Sequence, residues 1–339
     1  MDTEVEVNLS KGKNKRKRHK KLKITILILL GLLLSAIGIA YTFFQNTYNK
    51  VSYVDIPKEN EELGIEEEEE EIVNIFKENK AIINILLMGI DKRDQYDPGR
   101  SDAMMILSID PISNSIKLSS IMRDSLVEIK GHGEDKLNHA YAFGGPELAL
   151  HTINKNYKMN IKYFASIDYS GLTNIIDSIG GIYAQVKEEE IDMINKYTND
   201  VAYVNGTDFS MITKPGYQLL DGTQAVAYAR IRKVGDGDYE RTQRQRIVLS
   251  GIIRKLTTLN ILELPGTIQK LAPNVETNIT SSYMLKVGTS VLNTGMKEIK
   301  QARFPLDEDS EGEMINGIWY LVFDKYKTVD ALHNFIFRN

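Results

Sequence analysis

The sequence predicts an α/β protein: a three-layer α/β/α sandwich around a mixed central sheet, preceded by a single transmembrane helix. Three observations carry this. Strand-like and helix-like segments alternate from Ile82 onward, the run Ile82 to Ile90 is apolar on both faces as a helix-covered strand must be, and the 21 residues from Ile24 to Phe44 hold no charge. With 42% hydrophobic and 26% charged residues in 339, the chain is neither collagen-like, low-complexity nor wholly disordered. The absence of cysteine excludes disulfide scaffolds, thiolate zinc sites and cysteine nucleophiles.

Residues 1–23 read as a basic cytoplasmic tail and 24–44 as the membrane helix, which at ~1.5 Å per residue spans roughly 30 Å of hydrocarbon. Nine Lys/Arg against three Asp/Glu fall in residues 1–44, all nine just before the apolar run, so the N-terminus is expected inside and the rest outside. The run is long and its basic leader extended, which favours a retained anchor over a cleaved signal peptide despite the small residues at Gly38 and Ala40. The remainder holds 33 Lys/Arg against 43 Asp/Glu, so no basic domain suits nucleic acid. Residues 45–80, with six consecutive glutamates from Glu66 to Glu71, read as an acidic extracytoplasmic spacer extended by self-repulsion.

The outer domain is expected over 81–339. After the first buried strand, Ala103 to Ile109 and Ile116 to Met122 flank the turn Asp110 to Asn114 as a hairpin. Gly144-Gly145-Pro146 opens a helix to about Asn156. Tyr163 to Asp168 is a strand, Ser170 to Ser178 a helix closed by Gly180-Gly181, and Ile182 to Val186 a strand. Lys187 to Lys214 has no clean period and reads as a surface insertion. Asp221-Gly222 opens a helix over Thr223 to Ala229, and Asp238 or Tyr239 opens a longer one with Val248, Ile252 and Leu256 at helical spacing. Helices near Ile261 to Leu271, Ser281 to Leu292 and Thr328 to Phe337, and strands near Ile299 to Phe304 and Ile318 to Phe323, complete the pattern.

No His-Glu-x-x-His, Gly-x-Ser-x-Gly or Walker loop is present, and the five histidines have no metal-ligand spacing. Arginine is the informative residue: eleven follow residue 44, and eight of them fall within 93–123 and 230–246. The rigid guanidinium fork suits phosphate oxygens, so the clustering points to a polyanion site. Arg230 and Arg232 share a face if Arg230-Ile231-Arg232 is extended, and Arg241 lies one helical turn from Arg244 and Gln245 near a helix N-terminus. Asp91 ends the first buried strand and Asp102 precedes the next, a carboxylate pair able to share a hard divalent cation with phosphate and water.

These residues carry a resemblance. Leu87 to Arg93 (LMGIDKR), Arg100 to Met105 (RSDAMM), Ser120 to Asp124 (SIMRD), Lys136 to Gly145 (KLNHAYAFGG), Tyr228 to Arg232 (YARIR) and Asp238 to Gln245 (DYERTQRQ) resemble, in order, the motifs of the LytR-CpsA-Psr family. The resemblance implies transfer of an anionic glycopolymer, such as wall teichoic acid or capsular polysaccharide, from an undecaprenyl-pyrophosphate carrier to peptidoglycan at the cell membrane. It implies Mg²⁺, with Mn²⁺ as an alternative, on Asp91 and Asp102. Pyrophosphate would be held by Arg100, Arg123, Arg230, Arg232 and Gln245. Arg93, Asp124, Lys136, Asn138, Asp238, Arg241 and Arg244 would support that site, and Asp91 would assist loss of the acceptor proton. Two positions depart from the family pattern, Met122 where proline is usual and Tyr239-Glu240 before Arg241. The same site with water as acceptor would be a polyprenyl-pyrophosphate hydrolase, and a non-catalytic membrane-bound regulator is the third reading.

Overall fold

The computed structural model describes residues 42–43, 45–66, 70–92, 97–258, 264–293 and 299–338. The basic tail and almost all of the apolar run 24–44 lie outside the described residues. Among those described, no helix is long and apolar enough to cross a membrane. The chain divides into two compact units, residues 1–49 and 50–339. The described end of the first is helical, with the Asn49 N–H donating to the Gln45 carbonyl at 2.9 Å.

The second unit is built on a mixed seven-stranded sheet. From edge to edge its strands are Ser52–Tyr53, Glu276–Thr277, Tyr163–Asp168, Ile83–Asp91, Arg100–Asp110, Ser115–Ile121 and Ile299–Phe304. Ile83–Asp91 runs parallel to Tyr163–Asp168 on one side and antiparallel to Arg100–Asp110 on the other. Side chains alternate across the sheet, so Leu86, Met88 and Ile90 pack toward Ala149, Leu150 and Ile153 of the helix His139–Tyr157. Ile83 and Ile85 face the opposite layer, against Leu249 and Ile253 of Asp238–Thr258 and Tyr283 of Ser281–Asn293. Each such fully buried side chain contributes about 1.5–3 kcal/mol relative to exposure, which explains why the first strand reads as one continuous apolar run.

Local chemistry sets the boundaries. In the hairpin turn the Asp110 carboxylate accepts from the backbone N–H groups of Ile112 and Ser113, and Asn114 takes a left-handed φ of 53°. The expected helix start at Gly144-Gly145-Pro146 is instead a kink. The helix begins at His139, breaks where Gly145 adopts φ 62° and ψ −155°, a region open only to glycine, and resumes at Pro146, which lacks the N–H it would leave unpaired. Asp168 caps Tyr169–Ser178 by accepting from the Gly171 N–H at 2.7 Å. Asp221 and Gln224 form a reciprocal capping box for Gly222–Arg230.

Two expectations are corrected. The segment 45–80 is not a solvated spacer throughout. Ser52–Tyr53 joins the sheet edge, Ile56, Leu63 and Ile65 are buried against His139–Tyr157, and Glu66 pairs with Lys155 and Lys158. Its apolar residues are too sparse to show a period, yet Ile56, Leu63 and Ile65 fill core positions. The second correction is the stretch 187–214, which contains the helix Ile191–Asn205, closed by Gly206 at φ 64°. Ile194, Val201, Ala202 and Ile212 are buried, so this segment is core, not a surface insertion.

Candidate active site

The carboxyl ends of Ile83–Asp91 and Tyr163–Asp168 place side chains at one rim of the sheet, where α/β proteins hold ligands. Asp91 is the last residue of its strand. Across from it the register steps from Gly89 opposite Ala103 to Ile90 opposite Ser101, so Asp102 is the extra residue of a β-bulge. A bulge re-aims one side chain out of the ladder, and here it turns a carboxylate into a polar cavity of about 590 Å³. Asp91, Asp97, Arg100, Arg123, Asp124, Lys136, Asn138, His139 and Arg232 complete its lining.

Arg123 is the hub. Its guanidinium donates to Asp102 at 2.6 Å, to Asp238 at 3.1 Å and to Asp124 at 3.1 Å. Burial alone would lower its pKa, but Asp102, Asp124 and Asp238 outweigh that and push it upward, so Arg123 is a permanent cation. Arg232 donates to the other oxygen of Asp102 at 3.1 Å and lies 3.4 Å from Asp238. Arg241 donates to the Asp102 backbone carbonyl at 3.0 Å, and burial together with the neighbouring Arg123 pulls its pKa down to about 10. Asp238 is affected in the other sense: burial raises its pKa, but Arg241, Arg123 and Arg232 override this and hold it below the usual carboxylate value. Lys136 closes the ring by donating to Asp124 at 2.8 Å.

The cations therefore stand in a lattice of carboxylates. An entering diphosphate would exchange those partners for its own oxygens. Buried Asn138 Oδ1 has no hydrogen-bond partner in this lattice, while Arg241 Nε and Asp238 Oδ1 face each other as an ion pair at 3.2 Å. Arg100 and Arg232 are the members most open to solvent.

Several residues expected at one site separate here. Arg230 is not extended. It ends the helix Gly222–Arg230, its guanidinium 4.8 Å from the Tyr169 ring and 5.6 Å from that of Tyr197, while Ile231 is fully buried. Arg244 does not line the polar cavity. It is buried between Glu190 at 2.7 Å and Glu240 at 2.6 Å and donates to the carbonyls of Ile231 and Val234, bracketing the backbone that presents Arg232. Gln245 lines a separate, largely apolar cavity of about 200 Å³ with Leu87, Gly89, Ala103, Ala229 and Val248. Arg93 lies outside the described residues.

Sequence reasoning missed Tyr169, whose hydroxyl is pushed up to about 12 by burial and by the charges of Asp91 and Asp102. It directly follows the end of Tyr163–Asp168, so the strand-end rule that singled out Asp91 would have found it. His139 and Asp97 were missed as well. His139 Nδ1 lies 2.8 Å from Asp135, and Asp97 caps the turn into the next strand by accepting from the Gly99 N–H.

Consecutive residues of one strand line the two cavities, Asp102 the polar one and Ala103 the apolar one. The ideal Cβ of Gly89 would sit 3.1 Å from that of Ala103, so small side chains keep the apolar floor open.

The chain is similar to several known proteins. The polyisoprenyl-teichoic acid–peptidoglycan teichoic acid transferase TagU of Bacillus mycoides (strain KBAB4) is 34% identical over 242 residues, 70% of this chain and 72% of its own. TagU of Enterococcus faecalis (strain ATCC 700802 / V583) is 32% identical over 252 residues, 73% of this chain and 76% of its own. The solved structure of TagT bound to LI-WTA superposes with TM-score 0.62 at 26% identity, covering 76% of this chain and 90% of that one. YwtF (TagT) with bound octaprenyl pyrophosphate lipid gives 0.58 at 25% identity, over 77% and 92%. Residues 41–335 match the LytR_cpsA_psr family, and the chain belongs to that family.

Proposed function

We propose that this protein is a membrane-anchored phosphotransferase that moves an anionic glycopolymer from undecaprenyl pyrophosphate to peptidoglycan and releases undecaprenyl phosphate. The observation that carries the reading is an arginine-lined polar cavity at Asp102 and an apolar one at the next residue, Ala103, a pair that suits a ligand with diphosphate at one end and hydrocarbon at the other. An acceptor hydroxyl oxygen would bond to the polymer-bearing phosphorus, the bond from that phosphorus to the lipid phosphate would break, and the hydroxyl proton would leave to a base. Asp91 is our assignment for that base. Arg100, Arg123 and Arg232 would neutralise the charge growing on the leaving phosphate.

A divalent cation fits the donor set. Asp91 and Asp102 are hard oxygen ligands on one cavity, and Asp102 Oδ2, which accepts one hydrogen bond from Arg232, retains acceptor capacity, while Oδ1 is taken by Arg123 and Asn138. No group of three or more His, Cys, Asp or Glu able to hold a metal occurs among the described residues, so water and substrate phosphate would supply the remaining ligands. Mg²⁺ there would add charge neutralisation to that of the arginines.

Full-length protein in detergent, given Mg²⁺, lipid-pyrophosphate-linked teichoic acid and peptidoglycan, is expected to yield polymer joined to peptidoglycan. Release of free polymer phosphate at the same rate with or without peptidoglycan would identify a hydrolase instead. The apolar cavity makes its own prediction. Ala103→Phe would fill its floor and displace about three methylenes of lipid, costing about 2 kcal/mol, or roughly thirtyfold in affinity for a polyprenyl pyrophosphate. Titration calorimetry with octaprenyl pyrophosphate measures this, and an unchanged affinity would remove the lipid from that cavity.

A further inference from the structure

The chain's one tryptophan is Trp319, on the hairpin formed by Ser310–Ile315 and Ile318–Phe323, and it is 39% exposed. It pairs across the hairpin with Met314, itself 62% exposed, and lies against Gly312, where an added Cβ would come within 2.7 Å of the indole nitrogen. The cavity wall leads to it. Lys136, which lines the polar cavity, has its ammonium 5.9 Å from the ring centres of both Trp319 and Tyr320. Asp135 holds His139 with one oxygen and the Tyr320 hydroxyl with the other. His139 in turn meets the exposed ring of Phe143 edge-on, and Phe143 stacks on His132 at 4.2 Å. Exposed aromatic faces thus flank polar side chains along one rim of the cavity.

We propose that this rim is a saccharide platform that holds the glycan strand of the acceptor, with Trp319 and Phe143 as its stacking faces. The inference rests on the transferase reading above. A pyranose ring presents a C–H face and a hydroxyl-rich edge, matching an aromatic face with its negative quadrupole beside the polar groups of Asp135, Lys136 and His139. Charge selects the occupant. Of the five carboxylates between Asp307 and Glu313, Asp307 pairs with Arg303 and Asp309 with Lys327, so the exposed Glu311 and Glu313 set the charge of the hairpin. Such a surface repels a polyphosphate chain and accepts an uncharged amino-sugar backbone. Large exposed rings next to a reactive cavity are also a poor use of surface unless something covers them.

Because Trp319 is the sole tryptophan, binding can be read without any transfer. Full-length protein titrated with peptide-free peptidoglycan glycan oligomers is expected to show a saturating change in tryptophan emission, and lipid-free teichoic acid is expected to give none. Phe143→Ala should weaken that binding about tenfold. In transfer assays Trp319→Ala should raise KM for peptidoglycan about tenfold with little change in kcat or in donor affinity, and Trp319→Leu, which keeps apolar volume against Gly312 and Met314, guards against a folding defect. A response to teichoic acid rather than glycan, no response to either, or an unchanged KM for peptidoglycan in both tryptophan variants would overturn the platform while leaving transfer intact. Glycan binding without transfer would sink the transferase reading and leave the platform standing.

Discussion

Arg123→Ala is expected to reduce glycopolymer transfer by about 10²–10³-fold, the loss typical of removing one charge-stabilising donor from a reacting centre. Among the described residues Arg123 alone pairs with Asp102, Asp124 and Asp238 at once, so its removal also releases three carboxylates that it had held together. Lys136 would still pair Asp124, while Arg232 and Arg241 would still serve Asp102 and Asp238. The stability loss is therefore expected at about 1–3 kcal/mol, below the 3–5 kcal/mol of a fully orphaned buried charge. Arg123→Lys is the sharper comparison. It keeps the charge, but its three N–H groups sit on one compact nitrogen and cannot span three carboxylates that Arg123 reaches from three separate nitrogens, so it should retain most of the stability and little of the rate. Transfer kinetics and urea midpoints on the two variants separate these effects. Wild-type rates in a folded Arg123→Ala protein would remove the arginine lattice from the chemistry.

What the sequence disclosed depended on how far each signal was local. The strands at 83–91, 163–168, 182–186 and 318–323 were readable because largely apolar runs stop at charged or turn-forming residues. Asp91 and Asp102 were readable because both stand at strand ends, although the bulge that aims Asp102 inward depends on pairing with a second strand and has no local signature. Arg230-Ile231-Arg232 mimicked a strand because a buried residue between two charges looks the same at a helix C-cap, where Ile231 takes φ −60° and ψ 126°. Ile191–Asn205 was hidden by its polarity: its N-terminal approach buries Glu190, a residue that pattern reading assigns to solvent. The tryptophan rim was unreadable because it joins side chains from residues 132–143 and 310–320 that only the fold brings together.

Glu190 supplies the other large effect. It is 1% exposed, its Oε1 accepts from Arg244 at 2.7 Å and its Oε2 accepts from the Lys187 N–H at 2.8 Å, so Glu190→Ala strips a buried guanidinium of a partner and a short helix of its cap. Breaking one side of a buried pair costs about 3–5 kcal/mol, and Glu240, which remains 2.6 Å from Arg244, places this case near the lower figure. Urea unfolding should show that loss as a shifted midpoint with an unchanged slope. Joint replacement, Glu190→Leu with Arg244→Met, leaves neither group of the pair charged and should cost less than Glu190→Ala alone. The chemistry should respond in the opposite order. Arg244 is what grips the carbonyls of Ile231 and Val234 on either side of Arg232, so the double variant, though the more stable, should bind diphosphate more weakly than Glu190→Ala. If stability and diphosphate affinity instead fell together in both proteins, Arg244 would be a packing residue with no part in presenting Arg232.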